Sequence, residues 1–130
     1  MTTAIAMIPY ANMAPYRQLG PPEGCRFISL VPKASIAALM TGEVAAAAVP
    51  VGGLPQLSGI VEPLGYFGIA AKGPSMSVLL FSRCPFRQLG GAKTVRLTKE
   101  SASSVRLLYL LLGDTLGFDR LPFQLGDQFG

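Results

Sequence analysis

One asparagine amide and a handful of serine hydroxyls are the side chains best placed for chemistry, because the chain has no histidine at all. Without histidine there is no Ser-His or Cys-His nucleophile pair, and the commonest transition-metal ligand is missing. Asn12 lies in Tyr10-Ala11-Asn12-Met13-Ala14-Pro15-Tyr16, where an apolar run gives way to a helical pattern. Its amide offers a donor and an acceptor at a strand-to-helix turn, the place where ligands collect in open α/β sheets. Ser77 and Ser82 flank the apolar stretch Val78-Leu79-Leu80-Phe81. Ser101, Ser103 and Ser104 open a strongly apolar helical segment, where free N–H groups and the helix dipole favour a carboxylate. A plain structural role stands beside each functional one. Asn12 reads equally as a helix N-cap, Ser77 and Ser82 as strand-end hydroxyls, and Thr98 or Ser101 as the cap of the last helix.

Other chemistries are excluded by what is missing. The chain contains no GxGxxG, GxxxxGK[ST], GxSxG or HExxH motif, and no pair of carboxylates at helical spacing in a likely cleft position. The residue inventory favours a site of hydrogen-bond donors and helix N-termini over one built on a strong base or a metal. Cys25 and Cys84 lack CxxC spacing and read as two reduced thiols, with a disulfide or a nucleophile as the alternatives. No cofactor and no metal site is expected, since two cysteines without histidine make a poor zinc site.

The elements that must position these residues belong to an α/β pattern. Thr3 to Ile8 and Arg26 to Leu30 read as strands, and Met13 to Leu19 as a short helix with Asn12 as its cap. Ser35 to Met40 reads as a helix with Ile36, Leu39 and Met40 on one face and Gly42 as its stop. Val44 to Val49 is a continuous apolar stretch, which fits a strand buried on both faces of a parallel sheet. Val51 to Leu57, with Gly52, Gly53 and Pro55, reads as a turn with a short helix. Tyr66 to Ala71, Met76 to Ser82, Thr94 to Leu97 and Phe123 to Leu125 read as further strands, and Ser101 to Leu112 as the strongest helix, closed by Gly113. Strands alternating with helices predict mostly parallel pairing.

With 130 residues, half of them hydrophobic and only 14% charged, the chain can build a core. Net charge is +4, with +1 over residues 1–76 and +3 over residues 77–130. That excess suits a small anionic ligand. It is too dilute for nucleic acid, because clustered Lys/Arg with interleaved aromatics is absent. No membrane association is expected, since the longest apolar runs fall far short of the roughly 20 residues a span needs. The N-terminal stretch lacks a basic region and is interrupted by Pro9, Tyr10 and Asn12, so it predicts a cytoplasmic protein rather than an exported one.

Several motifs in order resemble the chorismate dehydratase (MqnA) family of menaquinone biosynthesis. Tyr10-x-Asn12-x-x-Pro15 is similar to the family's S-Y-L-N-x-x-P. Gly42-Glu43-Val44-Ala45-Ala46-Ala47-Ala48-Val49-Pro50 is similar to its G-x-[IL]-D-[AV]-A-L-V-P. Ser77-Val78-Leu79-Leu80-Phe81-Ser82 follows its S-V-x-L-[FY]-S strand. Leu89-x-Gly91, Val95-x-Leu97-Thr98 and Glu100-Ser101-x-Ser103-Ser104-Val105 come next in the expected order. Pro9, Ala11 and Ala45 depart from the family pattern, which has Ser, Leu and Asp there.

The resemblance implies a periplasmic-binding-protein-like fold of type II, with residues 1–76 as a first lobe and 77–130 as the crossover strand and start of a second. At about half the family's length, the chain is expected to lack the segment that returns to the first lobe. The implied activity, in the futalosine route to menaquinone, is elimination of water from chorismate to give 3-[(1-carboxyvinyl)oxy]benzoate. The implied catalytic residues are Asn12 and Ser77, with Tyr10, Ser82, Ser101, Ser103 and Ser104 binding a small dicarboxylate. A non-catalytic small-anion binder and a truncated or split inactive paralogue are the alternatives. The apolar circumference of Ser101 to Leu112 predicts a homo-oligomer, or a second chain that supplies the missing half.

Overall fold

The computed structural model describes residues 1–91, 95–115 and 123–125. The chain divides into two compact units: Met1–Val61 with Lys99–Ser103, and Glu62–Thr98 with Ser104–Gly130.

The first unit is built on a three-stranded parallel sheet in the order β2-β1-β3, with β1 Thr3–Met7, β2 Cys25–Ser29 and β3 Ala46–Ala47. β1 pairs along its whole length with β2, from Thr3 opposite Cys25 to Met7 opposite Ser29. The β3 pairing is short, Ile5 with Ala46 and Ala6 with Ala47. The strand expected over Val44 to Val49 thus shrinks to two paired residues, because its alanines have little β preference and no branched side chains to pack along the pleat.

Two helices connect these strands. The first connection is a 3-10 turn, Ala11–Met13, running into α1, Ala14–Leu19. Asn12 is therefore not the N-cap expected from the sequence. Tyr10 precedes the 3-10 turn, Met13 precedes α1, and neither position makes a side-chain cap bond. Pro15 lies in the first turn of α1, where its lack of an N–H costs nothing. The second connection, α2 Pro32–Thr41, starts on a proline and ends at Gly42 in the left-handed region, φ 75° and ψ 13°. Gly42 N–H donates to the Leu39 carbonyl at 3.2 Å and Glu43 N–H to the Ala38 carbonyl at 2.9 Å, the pair that closes a Schellman motif.

The core follows from side-chain alternation. Ala4 and Ala6 share one face of β1 and pack with Ile36, Ala38 and Leu39 of α2, Val44, and Leu57 of α3, Leu54–Leu57. Small alanines on the central strand let the helix lie close. Met40, expected on the same face as Ile36 and Leu39, is about half exposed instead. Ala102 also packs against this cluster, so the Lys99–Ser103 segment is held by burial as well as by hydrogen bonds.

The second unit carries β4, Val95–Leu97, paired in parallel with β5, Phe123–Leu125, as expected for both strands. The strands expected over Tyr66 to Ala71 and Met76 to Ser82 are not formed. Both stretches are irregular and solvent-exposed, Phe67 and Met76 almost wholly so. Apolar character alone does not make a strand, since each N–H and C=O needs a ladder partner. The helix expected from Ser101 is α4, Ser103–Leu110, followed by a π-helical turn, Leu111–Thr115, that carries Gly113 within it. It therefore starts later than Ser101, and Gly113 does not close it. Leu107, Tyr109, Leu110 and Leu111 are exposed and Leu112 is buried. Among the described residues, no helix is long and apolar enough to cross a membrane.

Candidate functional site

The carboxyl edge of the first unit's sheet is crossed by the segment Lys99–Ser103. The segment is tied to the exit of every strand. After β1, the Tyr10 hydroxyl donates to Glu100 Oε2 at 2.5 Å. After β2, at the start of α2, Lys33 N–H donates to the Glu100 carbonyl at 3.2 Å. After β3, Gly52 N–H donates to Ser103 Oγ at 2.7 Å. The Lys33 bond also satisfies one of the N–H groups that a helix leaves without an intrahelical partner, which Val31 at the cap position cannot do.

Each anchor has its own local support. The Tyr10 loop is fixed from behind by Arg17, whose Nη1 donates to the carbonyls of Ile8 at 3.1 Å and Tyr10 at 3.0 Å. Met13 N–H closes the 3-10 turn on the same Tyr10 carbonyl at 3.0 Å. At the third anchor, Gly52 lies in a 3-10 turn, Val51–Gly53, between Pro50 and α3. A Cβ on Gly52 would fall 2.8 Å from the Ser103 Cα and 3.0 Å from its Oγ, so only glycine admits the segment at this distance.

With the order β2-β1-β3, the chain leaves β1 toward one neighbour and returns to β3 on the other side. The loops after β1 and β3 therefore flank a topological switch point, the usual ligand position in such sheets. Tyr10 and Asn12 stand on one edge of it, and Val51 and Gly52 on the other. Asn12 is exposed there, while Ser101 and Ser103 are half-buried. An open cavity of about 350 Å³ lies at the β1–β2 side of the same edge, lined by Met7, Pro9, Arg17, Phe27 and Ser29.

Burial and the facing Glu100 carboxylate together push the Tyr10 phenol up to about 12. Tyr10 thus stays protonated and acts as a donor at any physiological pH. Among the described residues, no three His, Cys, Asp or Glu side chains gather closely enough to hold a metal ion.

Of the residues singled out from the sequence, Tyr10, Asn12, Ser101 and Ser103 belong to this edge. Ser77 and Ser82 belong to the second unit, where they are exposed. Ser77 Oγ is 3.5 Å from Ser75 Oγ, and Ser82 Oγ accepts the Cys84 N–H at 3.2 Å. Ser104 sits half-buried in the first turn of α4. Cys25 and Cys84 are free thiols. Two residues that sequence reasoning passed over, Glu100 and Gly52, make the tightest ties. Glu100 directly precedes the serine cluster, and the sequence around Gly52 reads only as a turn.

A family model described as menaquinone biosynthesis matches residues 3–127. The chain belongs to the menaquinone biosynthesis family. The matched span takes in both units of this family member and every candidate residue from Tyr10 to Ser104. No curated protein and no solved structure matches the chain.

Proposed function

We propose that this member of the menaquinone biosynthesis family is a chorismate dehydratase, eliminating water from chorismate to give 3-[(1-carboxyvinyl)oxy]benzoate. The observation that carries the reading is the donor-rich segment pinned across the switch point, in a chain whose family membership already ties it to menaquinone biosynthesis. In the reaction a proton leaves the carbon next to the one that bears the departing hydroxyl. The C–O bond breaks, water departs, and the ring becomes aromatic. Aromatisation supplies much of the driving force, so the protein's main task is to hold a dicarboxylate in a reactive pose. The substrate's own carboxylate serves as the base, which fits a chain without histidine.

Asn12, at the exposed edge, is assigned to the reacting face of the substrate, and Tyr10, Ser101 and Ser103 to its binding. Ser77, Ser82 and Ser104 keep the roles that the resemblance gives them. The reading also takes the fold as periplasmic-binding-protein-like and the protein as cytoplasmic. The parallel order of the first unit and its carboxyl-edge site support the fold assignment. Incubation of the purified protein with chorismate, with the aromatic product followed by chromatography, tests the function.

A second reading, a small-anion binder without catalysis, is favoured by one feature. The edge offers hydroxyls and backbone N–H groups, while its carboxylate, Glu100, is engaged by Tyr10. Binding of chorismate without turnover would select it.

A further inference from the structure

We propose that the cavity beside β1 and β2 is a second ligand site, which takes a small aromatic carboxylate. Met7 pairs with Ser29 and Ile5 with Phe27, so Met7, Phe27 and Ser29 share one face of the sheet. The opposite face carries Ala4 and Ala6, packed with Ile36, Ala38 and Leu39 of α2 in the core. The cavity of about 350 Å³ therefore opens on the face away from α2, on the β2 side of β1. The switch point lies on the β3 side of β1, so the two sites are separate and this one does not rest on the dehydratase reading.

The walls and the single charge set the ligand class. Met7 is buried and Phe27 half-buried, and with Pro9 they line the cavity with apolar surface. Arg17 and Ser29, both exposed, add a cation and a hydroxyl to the same lining. The cation is held in place, because Arg17 Nη1 donates to the carbonyls of Ile8 at 3.1 Å and Tyr10 at 3.0 Å. A guanidinium has five N–H donors in a rigid fork, so others remain after these two bonds. Among the described residues no carboxylate pairs with Arg17, and Glu100 is engaged by Tyr10. A fixed, unpaired guanidinium beside apolar walls matches a planar oxyanion on an apolar body. The two oxygens of a carboxylate fit the fork, and the Ser29 hydroxyl can donate to the same group. The volume lies at the small end of the roughly 300–1,000 Å³ typical of small-molecule sites, which limits the body to about one ring.

The test titrates the full chain with benzoate, acetate and benzyl alcohol and follows backbone amide shifts by nuclear magnetic resonance. Benzoate should bind with a Kd on the order of 1 mM and shift the amides of Arg17, Phe27 and Ser29 most. Acetate lacks the ring and benzyl alcohol lacks the charge, so each should bind at least about tenfold more weakly. Arg17→Gln should weaken benzoate about tenfold and leave benzyl alcohol within about twofold of the parent. Arg17 also braces the Tyr10 loop, so the fold of this variant is checked from its amide spectrum. Ser29→Ala, at an exposed strand end, keeps that brace and should weaken benzoate about threefold, whether or not Arg17→Gln folds. No benzoate binding by the parent, equal affinity for benzyl alcohol, unchanged benzoate affinity in Ser29→Ala, or largest shifts at Gly52 and Ala102 would overturn the proposal. Chorismate turnover is scored separately. A parent that turns over chorismate but fails these titrations keeps the dehydratase reading and loses the second site.

Discussion

Tyr10 and Glu100 stand 90 positions apart in the chain and meet through a 2.5 Å hydrogen bond from the phenol to the carboxylate. That bond joins the turn after the first strand to the segment that crosses the sheet edge. It ties Tyr10-x-Asn12 to Glu100-Ser101-x-Ser103, two stretches of the sequence that both belong to the first unit.

The pairing has a direct spectroscopic consequence. The Tyr10 phenol, pushed from 10.0 up to about 12, should ionise late in an alkaline titration. The difference in phenolate absorbance between the parent and Tyr10→Phe isolates it. Glu100→Gln removes the facing charge and should lower the midpoint toward the ordinary value. Because the folded-state value is raised, the protonated form is favoured on folding. The stabilisation is fully present below pH 10 and is lost as pH rises through about 12. A Tyr10 midpoint already at 10 in the parent would mean that the bond does not form in solution.

Asn12 is exposed beside this pair, which frees its amide for a ligand. Asn12→Ala should lower kcat/KM for chorismate by the equivalent of about 1–3 kcal/mol, the range for a lost hydrogen bond whose partner stays buried. Asn12→Asp should lower it further, despite its nearly unchanged size, because a carboxylate would then face an anionic substrate. Equal kcat/KM in the parent and both variants would remove Asn12 from the site.

The first unit was largely legible because its signals are local. An apolar run stopped by Pro9 marks β1, and Gly42 after Ile36 and Leu39 marks the end of α2. The edge was legible in part, since Tyr10, Asn12 and the serines lie in turns whose chemistry can be read one motif at a time. Glu100 and Gly52 were missed because their importance comes from partners 90 and 51 positions away, a distance that no local pattern encodes. Tyr66 to Ala71 and Met76 to Ser82 misled for a related reason. Their apolar residues satisfy a strand pattern, but a strand exists only where another backbone pairs with it.

The exposed apolar surface of the second unit predicts association. Leu107 is 56% exposed and Leu110 60%, on a helix with apolar residues around most of its circumference. Contiguous apolar surface of this kind draws a partner, in keeping with a homo-oligomer or a second polypeptide. Light scattering at micromolar concentration should show a species heavier than one chain, and Leu107→Glu combined with Leu110→Glu should reduce it. A monodisperse, cooperatively folding monomer would contradict the prediction.

Turnover of chorismate decides whether the pinned edge belongs to a dehydratase. Purified protein is mixed with chorismate, and both substrate and product are quantified over time against a protein-free control. Chorismate should disappear and 3-[(1-carboxyvinyl)oxy]benzoate should appear one for one, at a rate proportional to protein concentration and reduced in Asn12→Ala. Chorismate that decays no faster with folded protein than without it would rule out a dehydratase.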